Sequence, residues 1–263
     1  MNSLSYILFL LLPYFVYFSI CYKLYGAKIN IKNSVIYFIF GFIPVLLILT
    51  LYNFFPIIFE PVHFNSLQFI AIGIRELWVT GIIFVFIQVA FIEELSKLLS
   101  LKIGEGLIKK ENCVFQTMFY SSMIACGFSY LENISYILRD PTLLLSRMLL
   151  PSAMHILSGC IIGYFAGKLI ELKNKNKSNF LNWLKTYFIG IITASTFHGI
   201  YNYSLEFVEP NANIFFMQIS IFPINYGLIF LVGVLVNELY KKAFNFFFFL
   251  RLDFYFLLLR LQI

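Results

Sequence analysis

Apolar stretches long enough to cross a bilayer recur along this chain, with only short polar breaks between them. A span needs about 20 apolar residues to cross roughly 30 Å of hydrocarbon. Seven stretches meet that length: Leu4–Tyr22, Asn33–Phe59, Leu77–Leu101, Val114–Leu138, Met148–Ile170, Trp183–Phe207 and Ile214–Leu239. The expected fold is therefore all-α, a polytopic transmembrane helical bundle of about seven spans. The last stretch, Phe244–Ile263, is also apolar, but Arg251, Asp253 and Arg260 do not share one helical face, so it makes no clean amphipathic helix. The chain reads as one membrane domain, residues 1–243, followed by a tail, residues 244–263, whose structure the pattern leaves open.

Composition agrees with the pattern. The 263 residues are 60 % hydrophobic and 12 % charged, with a mean hydropathy of +0.85. A soluble domain carries about a quarter charged residues, so lipid has to cover much of this surface. The net charge of +6 is spread through short loops and reads as an orientation signal; no nucleic-acid partner is expected. Lys23, Lys28 and Lys32, then Lys102, Lys109 and Lys110, then Lys173, Lys175 and Lys177, and finally Lys241 and Lys242 mark alternate loops. The other loops hold only Arg75, Arg139 and Arg147. The positive-inside bias thus places the N-terminus outside and the C-terminus in the cytoplasm; the expected location is a bacterial cell membrane. No Lys or Arg precedes Lys23, so the first run reads as a permanent span rather than a secretory signal. The four cysteines show no C-x-x-C spacing and read as small buried hydrophobes.

Against this apolar background the ionisable groups stand out. Each one placed mid-span costs about 2.5–3.5 kcal/mol on insertion scales and calls for a reason. The third span carries Glu93, Glu94 and Lys97; the fourth, Glu132 beside Asn133; the fifth, His155; the sixth, His198 and Asn202. The first two spans carry none, and the seventh only Glu238 at its end. Helical spacing gathers them: Ser129, Glu132, Asn133 and Tyr136 form one stripe, and Gly190, Ala194, His198 and Asn202 another. His155 heads a stripe of Gly159, Gly163 and Gly167, which lets a neighbouring backbone approach closely, whereas Ile161 and Ile162 lie off that face. A structural account has Glu93 and Lys97 neutralising each other at i, i+4 and the His and Asn side chains serving as interhelical glue. Glu94 is then the carboxylate left over, and two adjacent acids suit general acid–base chemistry. With these spans, Glu93 and Glu132 stand roughly 15 Å apart along the membrane normal, at 1.5 Å per residue. The cluster admits a hydrolase, a proton-coupled transporter or a non-catalytic scaffold. No paired Gly/Pro interruption or inverted repeat supports the transporter.

Four pieces in order resemble the PrsW-type intramembrane proteases, related to the CAAX prenyl endopeptidase and bacteriocin-immunity group. They are Glu93-Glu94-Leu95-Ser96-Lys97, Phe128-Ser129-Tyr130-Leu131-Glu132-Asn133, His155, and His198-Gly199-Ile200-Tyr201-Asn202. The resemblance covers roughly Phe91–Asn202. It implies a glutamate-dependent peptidase acting on a membrane-anchored protein substrate, such as an anti-sigma factor or a similar regulator. Glu93 or Glu94 would activate water, His155 and His198 would bind or polarise the water and the scissile carbonyl, and Asn202 would steady the oxyanion. Glu132 and Asn133 would orient the histidines. No cofactor is expected: the chain lacks an H-E-x-x-H helix, its histidines are single and on separate spans, and amides such as Asn202 are poor zinc ligands. Zinc held by the two histidines and a glutamate is the alternative.

Overall fold

A computed structural model describes residues 3–26, 29–54, 84–108, 113–174 and 179–206. The chain divides into two compact units, Met1–Ile224 and Asn225–Ile263, and the described residues all belong to the first. The seventh expected span and the 244–263 tail lie outside them. Every described element is helical. Three stretches, Leu4–Tyr25, Ile31–Leu51 and Pro141–Lys173, are long and apolar enough to cross a membrane by length and composition. Phe15, Leu46 and Leu145 turn outward at 68 %, 62 % and 68 % exposure, a surface suited to lipid.

Proline and glycine bend the first two hydrophobic stretches. Helices α1 (Ser3–Phe9) and α2 (Leu12–Tyr25) meet where Pro13 opens α2. Proline has no N–H to donate, and at the junction Leu11 N–H donates to Leu8 O at 3.1 Å, a tighter turn. Helices α3 (Ile31–Phe40) and α4 (Phe42–Phe54) meet at Gly41. A Cβ on Gly41 would stand 2.7 Å from the Cα of Gly127, so two glycines let these backbones cross in contact.

The site is carried by four later elements. A π-helical stretch, Phe84–Phe91, leads into α5 (Ile92–Leu107). The central helix α6 (Val114–Arg139) has 26 residues, about 39 Å at 1.5 Å per residue. A 3-10 turn, Pro141–Leu143, is capped by Asp140, whose Oδ1 accepts from Thr142 N–H at 3.0 Å. It leads into α7 (Leu144–Asn174), and α8 (Phe180–Glu206) completes the set. Two boundaries differ from expectation in ways that matter. The third helix runs six residues past Leu101, and α7 starts four residues before Met148, which brings Arg147 into its first turn.

The stripe below His155 packs on α6. A Cβ on Gly159 would lie 2.7 Å from Ala125 Cβ, on Gly163 2.7 Å from Ser121 Cβ, and on Gly167 2.7 Å from Val114 Cα. Ile161 and Ile162, off that stripe, are nevertheless 0 % and 2 % exposed. The reason is that α7 also packs against α8 and α2, so it is enclosed on more than its glycine face.

Candidate active site

The wide π turn delivers Glu93 and Glu94 at the start of α5. Such turns hold an extra residue and recur at functional sites. Phe86 of this stretch lies against α8 at Gly199, where a Cβ would stand 2.7 Å from Phe86 Cε1. The neighbouring His198 thereby meets α5: its Nδ1 donates to Glu94 Oε1 at 2.8 Å. The same oxygen accepts from Lys97 Nζ at 2.7 Å, and Lys97 sits 4.4 Å from the centre of the Phe128 ring. The pairing thus departs from the i, i+4 expectation. Lys97 takes Glu94 at i, i+3 and stands 4.0 Å from Glu93. Both spacings bring side chains together on a helix, and His198 on the far side of Glu94 decides between them. Glu93, not Glu94, is the carboxylate left over.

The other half of the site grows from a proline. Pro151 lies inside α7 and cannot donate to the carbonyl four residues back, which belongs to Arg147. That freed oxygen accepts instead from Asn133 Nδ2 at 3.2 Å and Ser152 Oγ at 3.1 Å. Arg147 returns the contact, its Nε donating to Asn133 Oδ1 at 2.8 Å and its Nη2 to Glu132 Oε1 at 2.7 Å. Its guanidinium lies 3.9 Å from the centre of the Tyr136 ring. Tyr14 of α2 completes the cage, with its hydroxyl 3.1 Å from Asn133 Nδ2 and 3.0 Å from both Ser129 Oγ and Ser152 Oγ. Glu132 Oε2 accepts from His155 Nε2 at 2.7 Å. Glu132 therefore contacts His155 directly, whereas Asn133 is connected to it only through Arg147 and Glu132.

The two halves converge on the histidines. The rings of His155 and His198 are 4.9 Å apart and nearly perpendicular, at 86°, and Lys97 Nζ donates to His155 Nδ1 at 3.0 Å. Glu93 Oε2 lies 3.8 Å from His198 Nε2 and is buried with no hydrogen-bond partner among the described residues. Asn202 Nδ2 is 3.2 Å from the same nitrogen. Glu93, Glu132, Arg147 and Asn202 border a cavity of about 630 Å³ whose other wall is apolar, with Val45, Leu49 and Phe128. The expected 15 Å offset between Glu93 and Glu132 does not separate them chemically, because both carboxylates border this one cavity and His155, bonded to Glu132, has a ring nitrogen within 4.8 Å of a Glu93 oxygen. Metal-ligating atoms of Glu93, His155 and His198 lie within 4.8 Å of one another. Two imidazoles and a carboxylate are a zinc-type donor set, and the unpartnered Glu93 oxygen fits it.

All eight residues singled out from the sequence meet in this region. The chief residue that sequence reasoning passed over is Arg147, counted there as a loop charge; Tyr14 was lost among the many aromatics. The one available signal for Arg147 was its place four residues before Pro151, which frees its carbonyl.

Residues 31–237 match the model of a family described as PrsW family intramembrane metalloprotease. A protein named Protease PrsW from Oceanobacillus iheyensis is 27 % identical over 122 residues, which cover 46 % of this chain and 54 % of that one. The chain thus spans about half the length of the curated relative it matches. No solved structure matches it. With most of its length matched by the family model, the chain belongs to the PrsW family.

Proposed function

We propose that this protein is an intramembrane endopeptidase, hydrolysing a peptide bond in or near the membrane segment of another protein. One observation carries the reading: the Glu93 oxygen, buried and unpartnered at the cavity wall, 3.8 Å from His198 Nε2. That spacing suits a single bridging water. His198 donates its Nδ1–H to Glu94, so its Nε2 is an acceptor shared between Asn202 Nδ2 and that water, and the Glu93 carboxylate accepts the water's other hydrogen. Glu93 takes a proton as the hydroxyl adds to the scissile carbonyl, and returns it to the leaving amine as the C–N bond breaks. Asn202, anchored beside His198 on the cavity wall, donates its amide N–H to the developing oxyanion. Lys97 supplies fixed positive charge near by. The apolar wall suits a substrate's membrane segment, with the lipid bilayer as the shared solvent. The glutamate pair also supports kinship with the CAAX prenyl endopeptidase and bacteriocin-immunity group.

A metal-dependent form of the same hydrolysis is a second reading, favoured by the convergence of Glu93, His155 and His198 and by the family's description. Bound zinc would polarise the carbonyl and make a water nucleophilic near neutral pH. The metal-free form stands first because Lys97 already places a cation 3.0 Å from His155 Nδ1. Purified enzyme in proteoliposomes is expected to keep its activity after exhaustive treatment with a membrane-permeant chelator, with well under one zinc per chain by elemental analysis. Activity lost on chelation and restored by zinc would transfer the assignment to the metal form.

The topology proposed is about seven spans with the N-terminus outside and the C-terminus in the cytoplasm, from the lysine asymmetry. Single cysteines placed at 175–178 in a cysteine-free variant should resist an impermeant thiol reagent in intact cells, while cysteines near Asp140 should react. The opposite pattern would invert the molecule.

A further inference from the structure

We propose that Arg147 is a positioning residue of this site, fixing the Glu132 carboxylate and, through it, the tautomer and direction of the His155 ring. This inference rests on the hydrolytic reading above. His155 is held at both nitrogens, by Lys97 Nζ at 3.0 Å on Nδ1 and by Glu132 Oε2 at 2.7 Å on Nε2. An ammonium has only donors and an ionised carboxylate only acceptors. Nδ1 must therefore be the acceptor, and Nε2 must carry the proton. Lys97 favours this tautomer from the Nδ1 side, and Glu132 completes the hold and sets the ring's direction only while one of its oxygens stays on Nε2.

Arg147 secures that position. Its Nη2 takes the other Glu132 oxygen at 2.7 Å, dividing the carboxylate between guanidinium and imidazole. The guanidinium is itself clamped, by Asn133 Oδ1 at 2.8 Å on Nε and by the Tyr136 ring at 3.9 Å on its face. Asn133 is held in turn by the Arg147 carbonyl that Pro151 leaves free, so backbone and side chain of one residue grip both ends of the Asn133 amide. Two bonds in fixed directions from one planar group are what a guanidinium offers and an ammonium does not. Arg147 also borders the cavity, so direct substrate binding is the competing role, and the test separates the two.

Full-length protein in proteoliposomes, cleaving a membrane-anchored substrate, is compared as wild type, Arg147→Lys and Arg147→Gln. We expect kcat to fall about 10- to 100-fold in both variants, in keeping with losses at residues that orient a functional histidine, with KM little changed. Added guanidinium should restore part of kcat to Arg147→Gln. Because Arg147 acts through Glu132, the double variant Arg147→Gln/Glu132→Gln should lose no more than Glu132→Gln alone. A loss confined to KM, or losses that multiply in the double variant, would overturn the proposal. Nitrogen-15 NMR of histidine-labelled protein at one fixed pH gives a readout independent of turnover. Wild type should show His155 as the single Nε2–H tautomer, and Arg147→Gln a mixture. A single unchanged tautomer in a folded Arg147→Gln or Arg147→Lys protein would refute the role. If wild type cleaves nothing while Arg147→Gln still shows the tautomer change, the protease reading falls and the positioning stands.

Discussion

Exchange of Glu93 for Gln is expected to lower kcat for cleavage of a membrane-anchored substrate by about 100- to 10,000-fold, the range spanned by a lost general base. Gln keeps the length and shape of the side chain but cannot accept the water's proton. The protein should stay folded, because Glu93 is no closer than 4.0 Å to Lys97 and 3.8 Å to His198. No buried partner is stranded when its charge goes. Glu94→Gln is a contrasting control, since it strips Lys97 and His198 of a shared carboxylate and should damage fold and activity together. Single-turnover cleavage in proteoliposomes measures the first effect, and thermal unfolding in detergent separates the two variants. In cells, comparative membrane proteomics should find a truncated membrane protein with wild type that is missing with Glu93→Gln. A folded Glu93→Gln enzyme retaining more than about a tenth of wild-type kcat would remove Glu93 as the base.

Lys97→Met should cost about 3–5 kcal/mol of stability, the penalty for removing one partner of a buried ion pair. Lys97 and Glu94 are 1 % and 0 % exposed, so neither charge reaches solvent. Met matches the lysine stem in volume, and the loss therefore reports the Glu94 charge left without its cation rather than a cavity. The double variant Lys97→Met/Glu94→Gln should recover much of that stability while remaining inactive, because replacing both members of a buried pair is far cheaper than breaking it. Unfolding midpoints of wild type, single and double variants in one detergent give the comparison. Equal instability of the single and double variants would show that Lys97 supports the fold through His155 and Phe128 instead.

Much of the site was legible because a membrane chain has a nearly uniform apolar background. Glu93, Glu94, Lys97, Glu132, Asn133, His155, His198 and Asn202 stand out by cost alone, and helical period places Ser129, Glu132, Asn133 and Tyr136 on one stripe. The stripe of Gly159, Gly163 and Gly167 marked the face on which α7 meets α6, since only small residues admit that approach. These are properties of single helices, and one-dimensional spacing reports them well.

Partner choice is a different kind of information. Spacing offered Lys97 to Glu93, yet i+3 and i+4 are both within reach, and His198 from α8 settles the matter by claiming the other side of Glu94. Separate spans argued against a shared donor set for the two histidines. Packing brings their rings 4.9 Å apart, because helix order in a bundle is fixed by side-chain fit and not by distance along the chain. Arg147 read as a loop charge until α7 was seen to start at Leu144, and Tyr14, from a span with no ionisable group, reaches Asn133 across 119 residues of chain. The sequence by itself determined which groups had to be hidden from lipid. The tertiary structure decided which group satisfies which, because a buried hydrogen bond or ion pair needs its partners within about 3 Å and correctly directed, a condition set only when the helices pack.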